Sequence, residues 1–270
     1  MYICTGRPVD DIKNIVSFSG GKDSTAMLIR MIEEGMPIDD IVFIKVMATA
    51  TLGAELPEMY DYIERVEDYI HRKITVVPSI LNFDEVFHQV FMSGERCGEI
   101  YGYPFTIGAW CNNRLKIRTI ERHFKTYGKH IRYVGIAADE PERLERLEAY
   151  CRAPLAEWGM TEKHCTSFLQ ERNLTNPLYQ KFRRLGCWFC VKQGLDSLRI
   201  IRREYPDYWA MMLRWDLESP HPFKPEWTVH DLEARFAAED CQLSIFDFTE
   251  KKWPEKTQKI LKLRKLIFHN

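Results

Sequence analysis

Several things are missing from this sequence. No apolar run approaches the ~20 residues that a membrane-spanning helix needs. Low-complexity stretches and internal repeats are absent, which argues against a disordered or solenoid chain. There is no excess of charge of either sign: the net charge is −1, so no global field draws in nucleic acid. The amino terminus, MYICTGRPVDDIKN, is acidic and interrupted by proline, unlike a secretory signal, and a cytoplasmic location is the expectation. Eight cysteines are present, at 4, 97, 111, 151, 165, 187, 190 and 241. In a cytoplasmic protein they would not form a disulfide framework.

What is present is the composition of an ordinary globular protein, 45% hydrophobic and 29% charged over 270 residues. Asn14–Phe18, Asp40–Met47, Lys73–Val77 and Ile131–Ala137 read as strands. Helical patterns follow them: one after Ser24 with apolar Ala26, Leu28, Ile29 and Ile32, then Glu58–Ile70, Asn113–Phe124 and Thr161–Arg172 with Thr161 as its cap. Alternating strands and helices predict an α/β doubly wound, mainly parallel sheet. From Val191 onward only helices are expected, at Asp196–Tyr205, Asp207–Leu217 and Val229–Glu239, so residues 1–190 are read as the α/β domain and 191–270 as a carboxy-terminal helical region. The basic tail Lys251–Lys265 reads either as a solvated helix or as a phosphate-contacting one.

The strongest chemical signal is Ser17-Phe-Ser-Gly-Gly-Lys-Asp-Ser24, set between a strand and a helix. The glycines let backbone approach a phosphate, and the helix start presents free N–H groups and a positive dipole end to it. Lys22 adds a point charge, Ser19 and Ser24 offer hydroxyls, and Asp23 suits Mg²⁺ or the helix cap. The spacing is not that of a Walker A loop; it resembles the SGGKDS form of PP-loop enzymes, and the resemblance implies cleavage of ATP between the α and β phosphates.

Four further segments fall in a recognisable order: Thr51-Leu-Gly-Ala-Glu-Leu-Pro-Glu58, Trp110-Cys-Asn-Asn-Arg-Leu-Lys116, Gly135-Ile-Ala-Ala-Asp-Glu-Pro-Glu-Arg143, and Asn176-Pro-Leu-Tyr179 followed by Gly186-Cys-Trp-Phe-Cys190. In this order they resemble the phosphoadenosine phosphosulfate (PAPS) reductase-like branch of the adenine nucleotide alpha-hydrolase superfamily, over about residues 13–192. The resemblance implies a Rossmann-like, HUP-type fold that binds ATP and Mg²⁺. It places Ser17, Ser19, Gly20, Gly21, Lys22, Asp23, Ser24, Gly135 and Arg143 at the nucleotide, with Lys22, Asp23, Asp139 and Glu140 as catalytic candidates. Asp139, Glu140 and Arg143 read equally well as a surface salt-bridge cluster. Arg114 and Lys116 are candidates for holding substrate oxygens, or else one exposed helix face.

Cys187-Trp-Phe-Cys190 brings two thiols within reach of one metal or cluster. The resemblance implies that Cys111, Cys187 and Cys190 ligate a [4Fe–4S] cluster, with zinc as the alternative and Cys165 as the nearest fourth ligand in sequence. Reductases of that family also carry an E-C-G-x-H-like segment whose cysteine attacks the sulfonate. None is found here, the last cysteine being Cys241. The expected activity is therefore ATP-dependent activation of an acceptor (tRNA, DNA or a small molecule) for sulfur transfer or nucleotide modification. A genuine PAPS or adenylyl sulfate reductase, and a nucleotide-binding module without turnover, are the alternatives, and a homodimer stays open.

Overall fold

The computed structural model describes residues 12–241. The amino-terminal stretch before them and the basic Lys251–Lys265 tail lie outside the described residues.

Five parallel strands form the sheet: β1 (Lys13–Phe18), β2 (Asp40–Lys45), β3 (Thr75–Pro78), β4 (His130–Val134) and β5 (Cys151–Arg152), in spatial order β3-β2-β1-β4-β5. The α/β doubly wound reading holds. β1 is central, and the winding reverses there: β2 lies on one side of it and β4 on the other. In sheets of this kind the crevice above the strand ends at such a reversal is where ligands bind. The expected fourth strand, Ile131–Ala137, ends earlier than its apolar run because Gly135 breaks it. β5 escapes sequence reading, since two residues carry no periodicity.

Side chains alternate across the sheet. Val16 and Phe18 on β1, with Ile41 and Phe43 on β2, enter the large core, whereas Ile15, Val42 and Ile44 enter a smaller one with Ile120 and Phe124. The helices are α1 (Lys22–Glu33), α2 (Pro57–Ile70), α3 (Phe83–Phe87), α4 (Arg118–Phe124), α5 (Pro141–Leu144), α6 (Pro154–Glu157), α7 (Glu162–Glu171), α8 (Leu195–Glu204), α9 (Pro206–Glu218) and α10 (Val229–Cys241). α1 is buried without interruption from Ser24 to Ile29 and again at Met31, so more than the expected stripe of Ala26, Leu28, Ile29 and Ile32 is covered, and Ile32 itself is only half-buried. Thr161 caps α7 as expected, accepting a hydrogen bond from the His164 amide. Leu198, Trp209, Trp215 and Phe236 from α8–α10 join the same core as one face of the sheet. Among the described residues no helix is long and apolar enough to cross a membrane.

The helix expected over Asn113–Phe124 is not uniform. It opens with a π-helical turn, Asn112–Ile117, before α4 begins. Such wide turns concentrate at functional sites because the extra residue re-phases the side chains that follow.

Gly135 has a steric reason to be glycine. A Cβ built there would lie 2.6 Å from the Ser24 amide nitrogen and 2.7 Å from its Cα, both fixed backbone at the start of α1. Gly135→Ala is therefore expected to cost about 3 kcal/mol, the upper part of the usual range for overpacking. Chemical denaturation would read this, and a loss below ~0.5 kcal/mol would contradict the close approach of β4 to α1.

Candidate functional site

The loop from β1 to α1 is built by glycine at one position and held by a distant segment at two others. Gly20 sits at φ +71°, and a Cβ there would come within 2.3 Å of the Met59 Sδ. The buried Asn176 side chain donates from Nδ2 to the Gly20 carbonyl at 3.1 Å. The Lys22 amide donates to the Tyr179 hydroxyl at 3.1 Å. The Asn-Pro-Leu-Tyr segment, noticed in the sequence only as a resemblance, thus proves to be the clamp on the phosphate loop. Inside the loop the Ser19 and Ser24 hydroxyls meet at 2.9 Å, and Ser24 Oγ also donates to the Gly21 carbonyl at 3.1 Å. Gly21 caps α1 with no side chain of its own, and apart from the Lys22 amide taken by Tyr179 the first turn is left open to an anion.

Lys22 Nζ lies 2.9 Å from Asp23 Oδ2 and 2.8 Å from Glu162 Oε2. Burial works against its charge, but hydrogen bonds to Glu162 and Asp23 prevail and raise it well above an ordinary lysine. Asp23 is raised by burial, with Lys22 partly offsetting. Lys22 is a permanent cation held ready beside the loop.

These residues line one wall of an open cleft of about 710 Å³ above the strand ends. Ser17, Ser19, Gly21, Lys22, Asp23 and Ser24 all border it, as do Gly135, Glu140 and Arg143. Glu140 is engaged on two sides: it accepts from the Ala137 amide at 3.1 Å and from Arg143 Nη1 at 2.6 Å. Asp139 is not among the residues lining the cleft; its Oδ1 accepts the Glu162 amide at 3.0 Å and so fastens the first turn of α7 to the end of β4. Of the Asp139–Glu140–Arg143 group, the structure brings Glu140 and Arg143 to the cleft and uses Asp139 as a brace.

Arg114 and Lys116 are also parted. Arg114 donates to Gln89 and to the Tyr101 hydroxyl, both at 2.7 Å, and lies over the Tyr101 ring, so it is consumed in binding the 89–101 loop. Lys116, two residues on in the π turn, lines the cleft.

Cys187 also borders the cleft. Trp188 is fully buried and anchors this loop: its amide donates to the Ala54 carbonyl and its indole to that of Gly53, at 2.9 and 3.1 Å. Burial, then the neighbouring Cys190, pushes the Cys111 thiol up to about 11. Burial also drives Cys187 well above the usual thiol value, and Glu55, Cys190 and Cys111 add to this. The fields show that Cys111, Cys187 and Cys190 share one neighbourhood. Cys165 does not join them: it is buried in α7, where the charges that act on it are Asp23, Lys22 and Asp139. Among the described residues, no group of three or more cysteine, histidine or carboxylate side chains is gathered closely enough to hold a metal ion.

Sequence reasoning missed Glu55. It borders the cleft near Cys187 and accepts from the Tyr60 hydroxyl at 3.1 Å. Burial pushes its carboxyl up to about 7, against the lowering pull of Tyr60, Lys116 and Lys45. A signal was available in hindsight, since Glu55 is the one carboxylate inside an otherwise apolar Leu-Gly-Ala-Glu-Leu-Pro run.

The central reversal of the sheet, the glycine turn on β1 and the lysine held at the start of α1 define a PP-loop α/β protein. The chain belongs to the phosphoadenosine phosphosulfate reductase domain family, whose model matches residues 13–193. It is 27% identical over 219 residues to an uncharacterized protein of Methanocaldococcus jannaschii, covering 75% of this chain and 40% of that one. It is 28% identical over 151 residues to the nin region protein ORF290 of Escherichia phage lambda, covering 49% and 50%. The chain thus spans half or less of the length of these two relatives. Among solved structures, it is similar to the U34-tRNA thiolase NcsA from Methanococcus maripaludis with its [4Fe-4S] cluster, at 14% identity and TM-score 0.43, covering 87% of this chain and 73% of that one. It is similar too to the NH3-dependent NAD synthetase from Campylobacter jejuni, at 12% and 0.40, covering 86% and 87%.

The Glu55 carboxyl gives a pH test. Its folded value lies above the ordinary carboxyl value, so the folded state holds the proton more tightly and stability falls as pH rises toward and through about 7. Glu55→Gln should leave stability near wild type at pH 4. At pH 8 it should raise it by roughly 1–2 kcal/mol, less than the ~1.4 kcal/mol per unit of the full shift because the side chain is part-exposed. Melting curves at the two pH values decide this, and a variant equally or less stable at pH 8 would contradict the burial argument.

Proposed function

We propose that this protein is an ATP-dependent PP-loop enzyme that cleaves ATP between the α and β phosphates to activate an acceptor for sulfur transfer or nucleotide modification. The observation that carries this reading is the phosphate loop itself: a helix start with no side-chain cap and a charged lysine, both facing one cleft, set up by the turn at Gly20 with its positive φ. In the reaction an acceptor oxygen attacks the α phosphorus, the bond from that phosphorus to the bridging oxygen breaks, and pyrophosphate leaves with its electron pair. The loop amides and Lys22 stabilise the charge that builds on pyrophosphate, and Mg²⁺ would bind beside Asp23. To reach the phosphates Lys22 exchanges its ion pair with Glu162 for one with the nucleotide. The adenylylated acceptor is then open to a sulfur or nitrogen nucleophile.

Cys111, Cys187 and Cys190 fit a polynuclear cluster in their chemistry and their common location. Thiolates are the ligands such clusters take, and Cys187 lies near enough to Cys190 and Cys111 to feel both. A [4Fe–4S] cluster held there would carry or deliver sulfur at the cysteine end of the cleft. With Cys165 elsewhere, Cys111, Cys187 and Cys190 would be the three residues of this chain to hold it.

Protein purified without oxygen tests the two halves separately. ATP labelled at the α phosphate should yield AMP or adenylylated acceptor with release of pyrophosphate, and Lys22→Ala should lower that rate at least about a hundredfold, the scale of losing one transition-state donor. The same preparation should contain about four irons and sulfides, lost in Cys187→Ser. Release of orthophosphate in place of pyrophosphate would contradict the cleavage site, and about one zinc per chain would contradict the cluster.

A further inference from the structure

Lys22 is held by two carboxylates of different standing. Asp23 follows it on α1 and accepts from its Nζ with both oxygens, at 3.0 and 2.9 Å. As the next residue on the same helix, Asp23 stays beside Lys22 whatever the cleft contains. Glu162 comes from a separate element, the first turn of α7, and its Oε2 lies 2.8 Å from Lys22 Nζ. Among the described residues the Glu162 carboxylate bonds to Lys22 alone.

The backbone of Glu162 is fixed where its side chain is not. Its amide donates to Asp139 Oδ1 at 3.0 Å. Just before and after it, Thr161 and His164 close a reciprocal cap, each side chain accepting from the other's amide, at 3.3 and 3.2 Å. The side chain is 49% exposed, so it can turn out into water with no movement of α7. At the start of a helix it also stays readily ionised, because the positive dipole end favours an anion there.

That carboxylate occupies ground a phosphate needs. Lys22 and Glu162 both line the cleft above the phosphate loop. An oxygen anion 2.8 Å from a lysine nitrogen has the spacing of a phosphate oxygen bound to it. Asp23 feels the charges of both Glu162 and Glu140, so three carboxylates gather beside the loop. Glu140 is tied to Arg143 and to the Ala137 amide, and Asp23 is tied by the chain. Glu162 is therefore the group that can give way when an anion arrives.

We propose that Glu162 is an internal competitor for the phosphate site: its carboxylate stands in for a phosphate oxygen on Lys22 while the loop is empty, turns away when the triphosphate binds, and returns to Lys22 as pyrophosphate departs. The proposal rests on the ATP-cleaving reading of the cleft, and Glu162 is a positioning residue that acts through Lys22. Two consequences follow from the charges. The returning carboxylate neutralises Lys22 and repels the departing pyrophosphate, which speeds its release. A ligand with no phosphate at Lys22 does not compete with Glu162 at all, and AMP, lacking the β and γ phosphates, is such a ligand.

Calorimetric titration of Mg·ATP, magnesium pyrophosphate and AMP into wild type and Glu162→Gln tests this, with circular dichroism to confirm the fold of both. In the variant, Mg·ATP and pyrophosphate should each bind about fivefold more tightly, the scale of one part-exposed ion pair. AMP should change by less than about twofold, within the error of additive, uncoupled sites. The gain should shrink as salt rises, since the competing pair is half exposed. Pyrophosphate release, followed by stopped flow, should slow by a similar factor, because affinity differences within one site lie mostly in the off-rate. Glu171→Gln, at the exposed far end of α7 and away from the cleft, removes the same charge and should leave all three affinities as in wild type.

A folded Glu162→Gln that binds Mg·ATP as wild type does, or more weakly, would overturn the proposal and leave the ATP reading standing; weaker binding would make Glu162 a helper of the metal–nucleotide complex. Equal tightening of AMP would overturn it by removing the link to the outer phosphates. Equal tightening in Glu171→Gln would overturn it too, showing diffuse charge in place of a competitor. Absence of ATP and pyrophosphate binding in wild type and in both variants would sink the ATP reading itself, and the proposal with it.

Discussion

The hydrogen bond from Asn176 to the carbonyl of Gly20 joins residues 156 apart in the chain, and the site depends on it. A phosphate loop works only if its backbone carbonyls are turned away and its amides point outward. With Gly20 at positive φ the loop has that shape, but glycine alone would leave it free to relax. Asn176 occupies the carbonyl from behind, and Tyr179 fixes the neighbouring Lys22 amide. The same short segment is itself rigid, because Asn176 Oδ1 accepts from the Leu178 amide at 3.0 Å. Gly135 completes the frame by letting β4 press against the first turn of α1 with no side chain between them.

From that frame the electrostatics of the cleft follow. The cleft brings together a helix start with a paired lysine and half-buried thiols near unpaired cations. Desolvation favours the protonated thiols of Cys111 and Cys187, so any thiolate-bound group would have to displace their protons. The loop carrying Cys187 and Cys190 owes its position to Trp188, which is stacked on Trp215 with an interplanar angle of 6°. The carboxy-terminal helices therefore act on the chemistry indirectly, by supplying the aromatic wall against which the cysteine loop is set. Lys224 adds to this from the same region, donating to the Val191 and Gln193 carbonyls at 2.8 and 2.7 Å.

Much of this was legible in the sequence. The strand before Ser19, the glycines, and the helix after Lys22 are local patterns, and local patterns survive folding. Thr161 could be read as a cap for the same reason. What could not be read is which of several similar residues the fold brings to the cleft. Asp139 and Glu140 are neighbours in sequence, yet one braces α7 and the other faces the cleft. Arg114 and Lys116 are two residues apart, so any helical turn sets them on different sides, and only the fold shows which of the two faces the cleft. Cys165 and the Cys187–Cys190 pair look alike in sequence, and only the packing of α7 against the phosphate loop parts them. Glu55 was hidden because its neighbourhood, drawn from residues 45, 60, 116 and 187, exists only in the folded chain.

Everything at the nucleotide end rests on the Asn176–Tyr179 clamp holding the loop in its phosphate-binding shape. Calorimetric titration of Mg·ATP into wild type and Asn176→Ala, with circular dichroism to confirm that both are folded, puts this to the test. The expected result is a folded variant whose affinity for ATP is down by about tenfold or more, the scale of a missing buried hydrogen bond that leaves a carbonyl unpaired. A folded variant that binds ATP as tightly as wild type would show that the loop keeps its shape unaided, and the clamp would no longer explain the site.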